Sequence, residues 1–382
     1  MIDPARNAAE MDDRPGHPRR AESAALMPLA EAVALLTKDL APVPPQAVPL
    51  AEAVGRIAAA DALTERAYPA RPIALRDGWA GRADDVLGAS SYGPILLARP
   101  LAWVESGGVM PEGTDVVLPL EALDGRSVIA DAPAGAGMRG AGEEFPVGGC
   151  FVPAGNRITP LHRIALETFG VASVSVRIPR LRLVVTGSPE PETQSAFVTA
   201  LAVSEGAIVV DTIRVAARSE AIAETLRALD VDATLVLGGT GFGREDQSAA
   251  GLAQAGSVRA HGIALNPGGT AGFGEAEARP VLLLPGRSDA ALATFLALGR
   301  PLLAALTDAR PRVPTRAPLL RKITSTIGLS EIVFARRERD GVFPLGGADL
   351  PLHRLIEADA AILVAAQAEG YPAGTSVEVL TL

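Results

Sequence analysis

Between residues 181 and 306, short apolar runs alternate with helical stretches, and this alternation limits the architecture more than any other feature. Residues 181–186 form an apolar run that ends in Gly187. A helical stretch is expected over 192–204, then a strand over 207–213, a helix over 219–229 and a strand over 233–237 that ends in Gly238-Gly239. After an irregular stretch, residues 279–284 read as another strand, ending in Pro285-Gly286, and a helix is expected over 288–306. Strands that alternate with helices and carry apolar residues on both faces imply a parallel sheet covered on both sides.

The remaining length needs further domains, since 382 residues exceed one compact core and two to four domains are expected. Residues 1–25 mix Pro, Gly and both charge signs without period and read as a disordered tail. Leu29, Val33, Leu36 and Leu40 recur at helical spacing, and Pro42, Pro44 and Pro45 end that helix. Residues 48–137 hold short β-type runs at 95–97, 116–118 and 128–129 and form a β-rich domain. The flanking segments 26–47 and 138–178, with a helix over 160–169, make a linking domain around it. Residues 179–308 are the α/β domain. Prolines at 311, 314 and 318 precede a C-terminal small β domain over 314–382, with strands at 332–336, 361–365 and 377–380. The fold class is therefore α/β and multidomain, with an inserted β-rich domain and a C-terminal β domain.

Composition removes several functions. A net charge of −9 offers no basic face for nucleic acid or an anionic membrane. No apolar run spans a bilayer and no signal segment follows Met1, so a cytoplasmic location is expected. The lone Cys150 excludes an intrachain disulfide and reads as a small core residue. His17, His162, His261 and His353 lack metal-ligand spacing.

In an open parallel sheet, ligands bind beyond the carboxyl ends of the strands. Three glycine-bearing loops fall there: Thr186-Gly187-Ser188, Gly238-Gly239-Thr240-Gly241-Phe242-Gly243 and Pro285-Gly286-Arg287-Ser288. Glycine lets backbone N–H groups approach an anion, and a following helix offers unpaired N–H groups to a phosphate. The spacing is neither a Walker A loop nor a dinucleotide fingerprint. A single such loop also suits plain βα packing; three on one edge point to a ligand.

Several motifs carry a resemblance to a known family. Residues 108–117, Gly-Val-Met-Pro-Glu-Gly-Thr-Asp-Val-Val, closely resemble the Pro-Glu-Gly-Ala-Asp-Ala-Val-Val signature of molybdopterin molybdenumtransferases (MoeA-like proteins). Asp77-Gly78-Trp79-Ala80 resembles that family's Met-Asp-Gly-Tyr-Ala, and residues 139–144 its Arg-x-x-Gly-Glu-Asp turn. Residues 238–246 are similar to its Ser-Gly-Gly-Val-Ser-x-Gly-x-x-Asp loop, and residues 343–347 and 358–360 to its terminal β domain. The resemblance runs from about residue 26 to 382 in the family's order. It implies a homodimer in which the β-rich domain of one subunit faces the α/β domain of the other. It also implies insertion of molybdate into adenylylated molybdopterin with release of AMP. The bound groups would be molybdopterin or its adenylylated form, molybdate and Mg²⁺, and a molybdoenzyme or another cofactor-assembly protein is the implied further partner. Asp77, Asp246 and Glu144 would be the functional acids, with Asp77 and Asp246 as Mg²⁺ ligands; the plain structural alternative is that Asp77 caps a turn and Asp246 a helix.

This chain also departs from the family. The family's Lys-Pro-Gly-Lys-Pro stretch reads Asn266-Pro267-Gly268-Gly269-Thr270 here, so both lysines that would offset molybdate and phosphate charge are gone. Only Lys38 and Lys322 are lysines in the whole chain. The family's Gly-Asp-Glu is Gly187-Ser188-Pro189-Glu190 and its Asp-Ser-Asn is Thr193-Gln194-Ser195. Arg244 and Arg287 stand where the family does not usually place arginine; they either restore part of the charge or are solvated surface residues. Two functions follow: an active transferase, or a non-catalytic protein that carries or senses molybdopterin or finished cofactor. A nucleotide-handling protein sharing only the α/β domain fits the flanking domains least.

Overall fold

The computed structural model describes residues 26–187, 191–227 and 230–382. The tail expected over 1–25 lies outside the described residues, as does Ser188. The described residues divide into two compact units, one formed by those up to residue 44 together with those from 177 onward and the other by residues 45–176.

The first unit is built on a six-stranded sheet in the order Ile208–Val215, Arg180–Thr186, Ala233–Leu237, Arg279–Leu284, Gly272–Ala276, Gly256–His261. Its apolar strands behave as buried strands should. Leu181, Leu183 and Val185 enter one core and Val184 the other, and Val236 and Leu283 likewise oppose Leu235, Leu237, Leu282 and Leu284. On one face lie the helices Pro191–Ser204, Leu29–Thr37 and the long run Ser288–Thr307. That run is long and apolar enough to cross a membrane, yet 78% of its 18-residue window is buried in the protein's own core. The other face carries Ser219–Leu226 and Ser248–Ala255, which approach closely because a Cβ on Gly251 would lie 2.6 Å from Ile222 Cγ2.

One expectation needs correction: the sheet is mixed rather than parallel. The first four strands pair in parallel, but Gly272–Ala276 and Gly256–His261 are antiparallel. A two-residue turn, Glu277 (φ 51°) and Ala278 (φ 57°), joins Gly272–Ala276 to Arg279–Leu284. Two positive φ values in a two-residue hairpin match a type I′ turn, for which Glu-Ala is an unusual sequence. The stretch taken as irregular therefore holds a helix and three strands.

A second sheet in this unit runs Met27–Pro28, Ile263–Asn266, Ser330–Glu338, Ala360–Val364, Ser376–Thr381, Thr315–Pro318, with Gly341–Gly346 paired to Ser330–Glu338. Ile263–Asn266 joins it in parallel, Leu265 facing Ser330 and Asn266 facing Glu331. Ile332, Phe334 and Ala361 share the core with the helical face of the first sheet.

The second unit is a set of short sheets, as its broken β runs require. Gly78–Gly81 pairs with Ala102–Val104 and Val116–Leu118; Ile95–Leu96, Ser127–Val128 and Leu123–Asp124 form a neighbouring ribbon. The helix Pro160–Thr168 starts on a capping box in which Thr159 and His162 exchange hydrogen bonds, which accounts for that histidine. Cys150 is exposed, not the core residue expected. On the strand Cys150–Val152 the inward positions are taken by Phe151 and Val152, and Phe151 stacks with Phe145 and Phe169.

Candidate functional site

Three loops leave the carboxyl ends of Arg180–Thr186, Ala233–Leu237 and Arg279–Leu284, and together they wall a cleft of about 990 Å³ within the first unit. Close backbone packing makes the cleft. Gly238 has φ 90°, and a Cβ there would lie 2.4 Å from the carbonyl oxygen of Thr186; a Cβ on Gly286 would touch Gly238 Cα at 3.5 Å. Any side chain at Gly238 would therefore fill the floor and force a left-handed backbone strain.

The middle loop is held from below. Ser248, fully buried, donates from Oγ to the carbonyl of Gly238 (2.7 Å) and from its N–H to that of Gly239 (2.9 Å). His261 Nε2 meets the carbonyl of Thr240 at 2.9 Å, an ordinary structural use of a histidine, and Thr240 Oγ1 meets Thr270 Oγ1 at 3.2 Å. Asp246 folds back onto the loop. Its Oδ2 accepts the N–H of Gly243 at 2.9 Å, and a Cβ on Gly241 would lie 2.5 Å from the same oxygen. Asp246 is thus no helix cap: the N-cap of Ser248–Ala255 is Gln247, with no side-chain cap bond. Its carboxylate, half-buried, faces the cleft.

The third loop brings Arg287, whose role is decided by its neighbours. Its Nε and Nη2 donate to Asp289 at 3.1 and 2.5 Å, and its Nη1 to Asp349. Asp289 is only 4% exposed and also accepts the N–H of Asp349 at 2.9 Å. The hydrogen bonds that Arg287 donates to Asp289 and then to Asp349 push its already high pKa up, so it stays charged, but that charge is matched by two carboxylates. Among the described residues that line the cleft, Arg287 faces Glu245, Asp246, Asp289 and Asp349 as the one cation against four acids. The cleft by itself is acidic.

Of the residues singled out from sequence, Gly187, Gly238, Gly239, Thr240, Gly241, Asp246, Pro285, Gly286, Arg287 and Ser288 line this cleft. Gly243 touches it through Asp246. Asn266, Pro267 and Gly268 do not line it; Asn266 pairs at 3.5 Å with Glu331 in the second sheet, and only Thr270 of that stretch reaches the cleft. Arg244 is exposed and lines no part of it. Asp77 and Glu144 belong to the second unit, where Asp77 Oδ1 accepts the N–H of Ser106 at 2.8 Å and Glu144 pairs with Arg139 at 3.3 Å. Asp77 therefore does hold a turn. Among the described residues, no group of three or more histidine, cysteine or carboxylate side chains forms a metal cage. Sequence reading placed Thr186 in the first glycine loop and Gln194 at a departure from the family pattern without giving either a role, and it missed Asp289 and Asp349 as cleft residues. Asp289 carried a weak signal, an acid in the first turn of a helix; Asp349 carried none.

Comparisons with known proteins agree with this geometry. Residues 27–170 match the family model described as "MoeA N-terminal region (domain I and II)", and residues 184–305 that described as "Probable molybdopterin binding domain". The chain is 27% identical to molybdopterin molybdenumtransferase 1 of Mycobacterium tuberculosis, over 88% of this chain and 95% of that protein. It is 29% identical to the molybdopterin molybdenumtransferase of Haemophilus influenzae, over 67% of this chain and 72% of that one. The crystal structure of the molybdopterin biosynthesis moeA protein of Pyrococcus horikoshii has the same fold, with a TM-score of 0.75, 24% identity and coverage of 94% of this chain and 100% of that one.

Proposed function

The chain belongs to the MoeA-like family of molybdenum-cofactor biosynthesis proteins, and from that premise we propose that it is a molybdopterin molybdenumtransferase, inserting molybdate into adenylylated molybdopterin and releasing AMP. One observation carries the reading. The glycine loops that end three neighbouring strands form a cleft wide enough for a pterin phosphate, and those loops lie inside the span matched by the molybdopterin-binding model. The relatives are named as transferases, so the non-catalytic carrier is not favoured.

In this reading the pterin phosphate rests on the loops Gly187, Gly238–Gly243 and Pro285–Ser288, whose glycines let the backbone approach an anion closely. Asp246 is the acid that faces the ligand; Asp77 and Glu144, which belong to the second unit, are proposed as functional acids on the family resemblance alone. Molybdate and a pterin phosphate bring several negative charges to a cleft that already holds four carboxylates and one matched arginine. Mg²⁺ fits such a donor set, because it takes one or two carboxylates and completes its shell with phosphate oxygens and water. Bound there, it would supply the positive charge that Asn266 and Gly269 cannot. Asp246, held by Gly243, would orient that ion or a water toward the phosphoanhydride, and the apolar floor of Val185 and Leu237 would limit stray water.

Expression of the chain in a strain that lacks its own transferase should restore molybdoenzyme activity. If binding of molybdopterin is intact and no activity returns, the transferase reading fails and the carrier takes its place. The family resemblance also supports a homodimer, and a single monomeric species in sedimentation at micromolar concentration would contradict it.

A further inference from the structure

Two polar atoms of cleft residues have no partner among the described residues. Thr186, 5% exposed at the end of its strand, has a buried Oγ1 that makes no hydrogen bond. Gln194, on the facing helix Pro191–Ser204, donates from Nε2 to Ser288 Oγ at 2.6 Å, which leaves its buried Oε1 unmatched. Both residues line the same cleft, beside Val185 and Leu237 and against the glycine loop; a Cβ on Gly239 would lie 3.1 Å from Thr186 Cγ2. Buried polar atoms without partners are rare and cost stability, so two in one cleft call for a ligand that satisfies them.

Their chemistry says which part of a ligand. Neither atom is charged, and an amide carbonyl accepts but does not donate, so a phosphate is the wrong partner for it. A hydroxyl and an amide carbonyl in one cleft instead complement an uncharged edge that presents both an acceptor and an N–H. We infer that Thr186 and Gln194 are the pair that reads the donor–acceptor edge of the bound heterocycle, while the glycine loops hold its phosphate. This rests on the proposed function, under which two heterocycles bring such an edge: the pyrimidinone of the pterin and the aminopyrimidine of adenine. Both atoms are buried in the ligand-free protein.

Thr186→Val keeps the shape and removes the hydroxyl, and it gives two readouts of opposite sign. In the ligand-free full-length protein the melting temperature should rise by about 1–4 °C, because an unmatched buried group is gone. Affinity by titration calorimetry should fall about three- to tenfold, the loss expected for one neutral hydrogen bond. A fall for molybdopterin alone assigns the pterin edge; a fall for AMP alone assigns adenine. Binding of inorganic phosphate should not change. Thr186→Ser, which retains the hydroxyl, should bind within about twofold of the parent, and Gln194→Met should weaken the same probe as Thr186→Val. The inference is overturned if Thr186→Val binds both probes like the parent, or if it melts lower or fails to fold, since the hydroxyl would then serve the fold. If the parent protein binds neither molybdopterin nor AMP, the proposed function falls and this inference with it.

Discussion

Asp246 gains its position from two glycines rather than from a helix. Its Oδ2 takes the N–H of Gly243 and lies where a side chain on Gly241 would have to go. Gly241 is also free of the positive φ that Gly238 and Gly239 require, so its need for glycine is spatial. Gly241→Ala should therefore displace the Asp246 carboxylate without backbone strain. Turnover should drop by at least about tenfold, the effect of losing one charged contact of about 1.5–3 kcal/mol, while the melting temperature stays within a few degrees. Unchanged turnover would remove Asp246 from the reaction. A bulky residue at Gly239 is a poorer probe: its φ of 61° and a Cβ only 2.9 Å from Ser248 Oγ would strain the fold as well as the site. Arg287 teaches a related lesson. An arginine beside a presumed anion site looks like a replacement for a lost lysine, but Asp289 and Asp349 hold its charge. Asp349 lies 62 residues away in sequence, so no local pattern could have shown that match.

The elements that were legible are those whose local pattern and burial agree. Arg279–Leu284 and Ala233–Leu237 stand where continuous apolar runs put them, and Pro160–Thr168 starts at the proline that follows its capping threonine. The three glycine loops were legible for the same reason, since each ends a strand. What escaped is the antiparallel edge. Its hairpin turns at Glu277-Ala278, where both residues sit at positive φ without the Asn-Gly or Asp-Gly that advertises such a turn. Gly272 and Gly274 further hide the strand between, because glycine lowers β propensity where the ladder demands close backbone contact. Likewise Asn266 reads as part of a ligand loop, but the strand Ile263–Asn266 is claimed by the second sheet. The turn makes a direct prediction. Ala278 pays a left-handed penalty that glycine does not, so Ala278→Gly should stabilise the protein by about 1 kcal/mol, less the entropy that glycine costs. A chemical denaturation midpoint that moves down instead would show that the turn is not the type described.

For the whole molecule, charge balance is the deciding quantity. The chain carries −9 net charge, its cleft is lined by more acids than bases, and both family lysines are replaced, yet its relatives are named molybdopterin molybdenumtransferases. The start of a helix contributes only about half a charge in all. In the proposed reading a divalent cation held with the help of Asp246 would supply the missing positive charge, whereas a carrier that binds only the pterin would not need one. The measurement that separates these is AMP release from adenylylated molybdopterin by the purified full-length protein, followed with and without molybdate and Mg²⁺. AMP should appear only when both are present, should stop on addition of a chelator, and should fall at least about tenfold in Gly241→Ala. Tight binding of adenylylated molybdopterin with no AMP release under any of these conditions would contradict the transferase account.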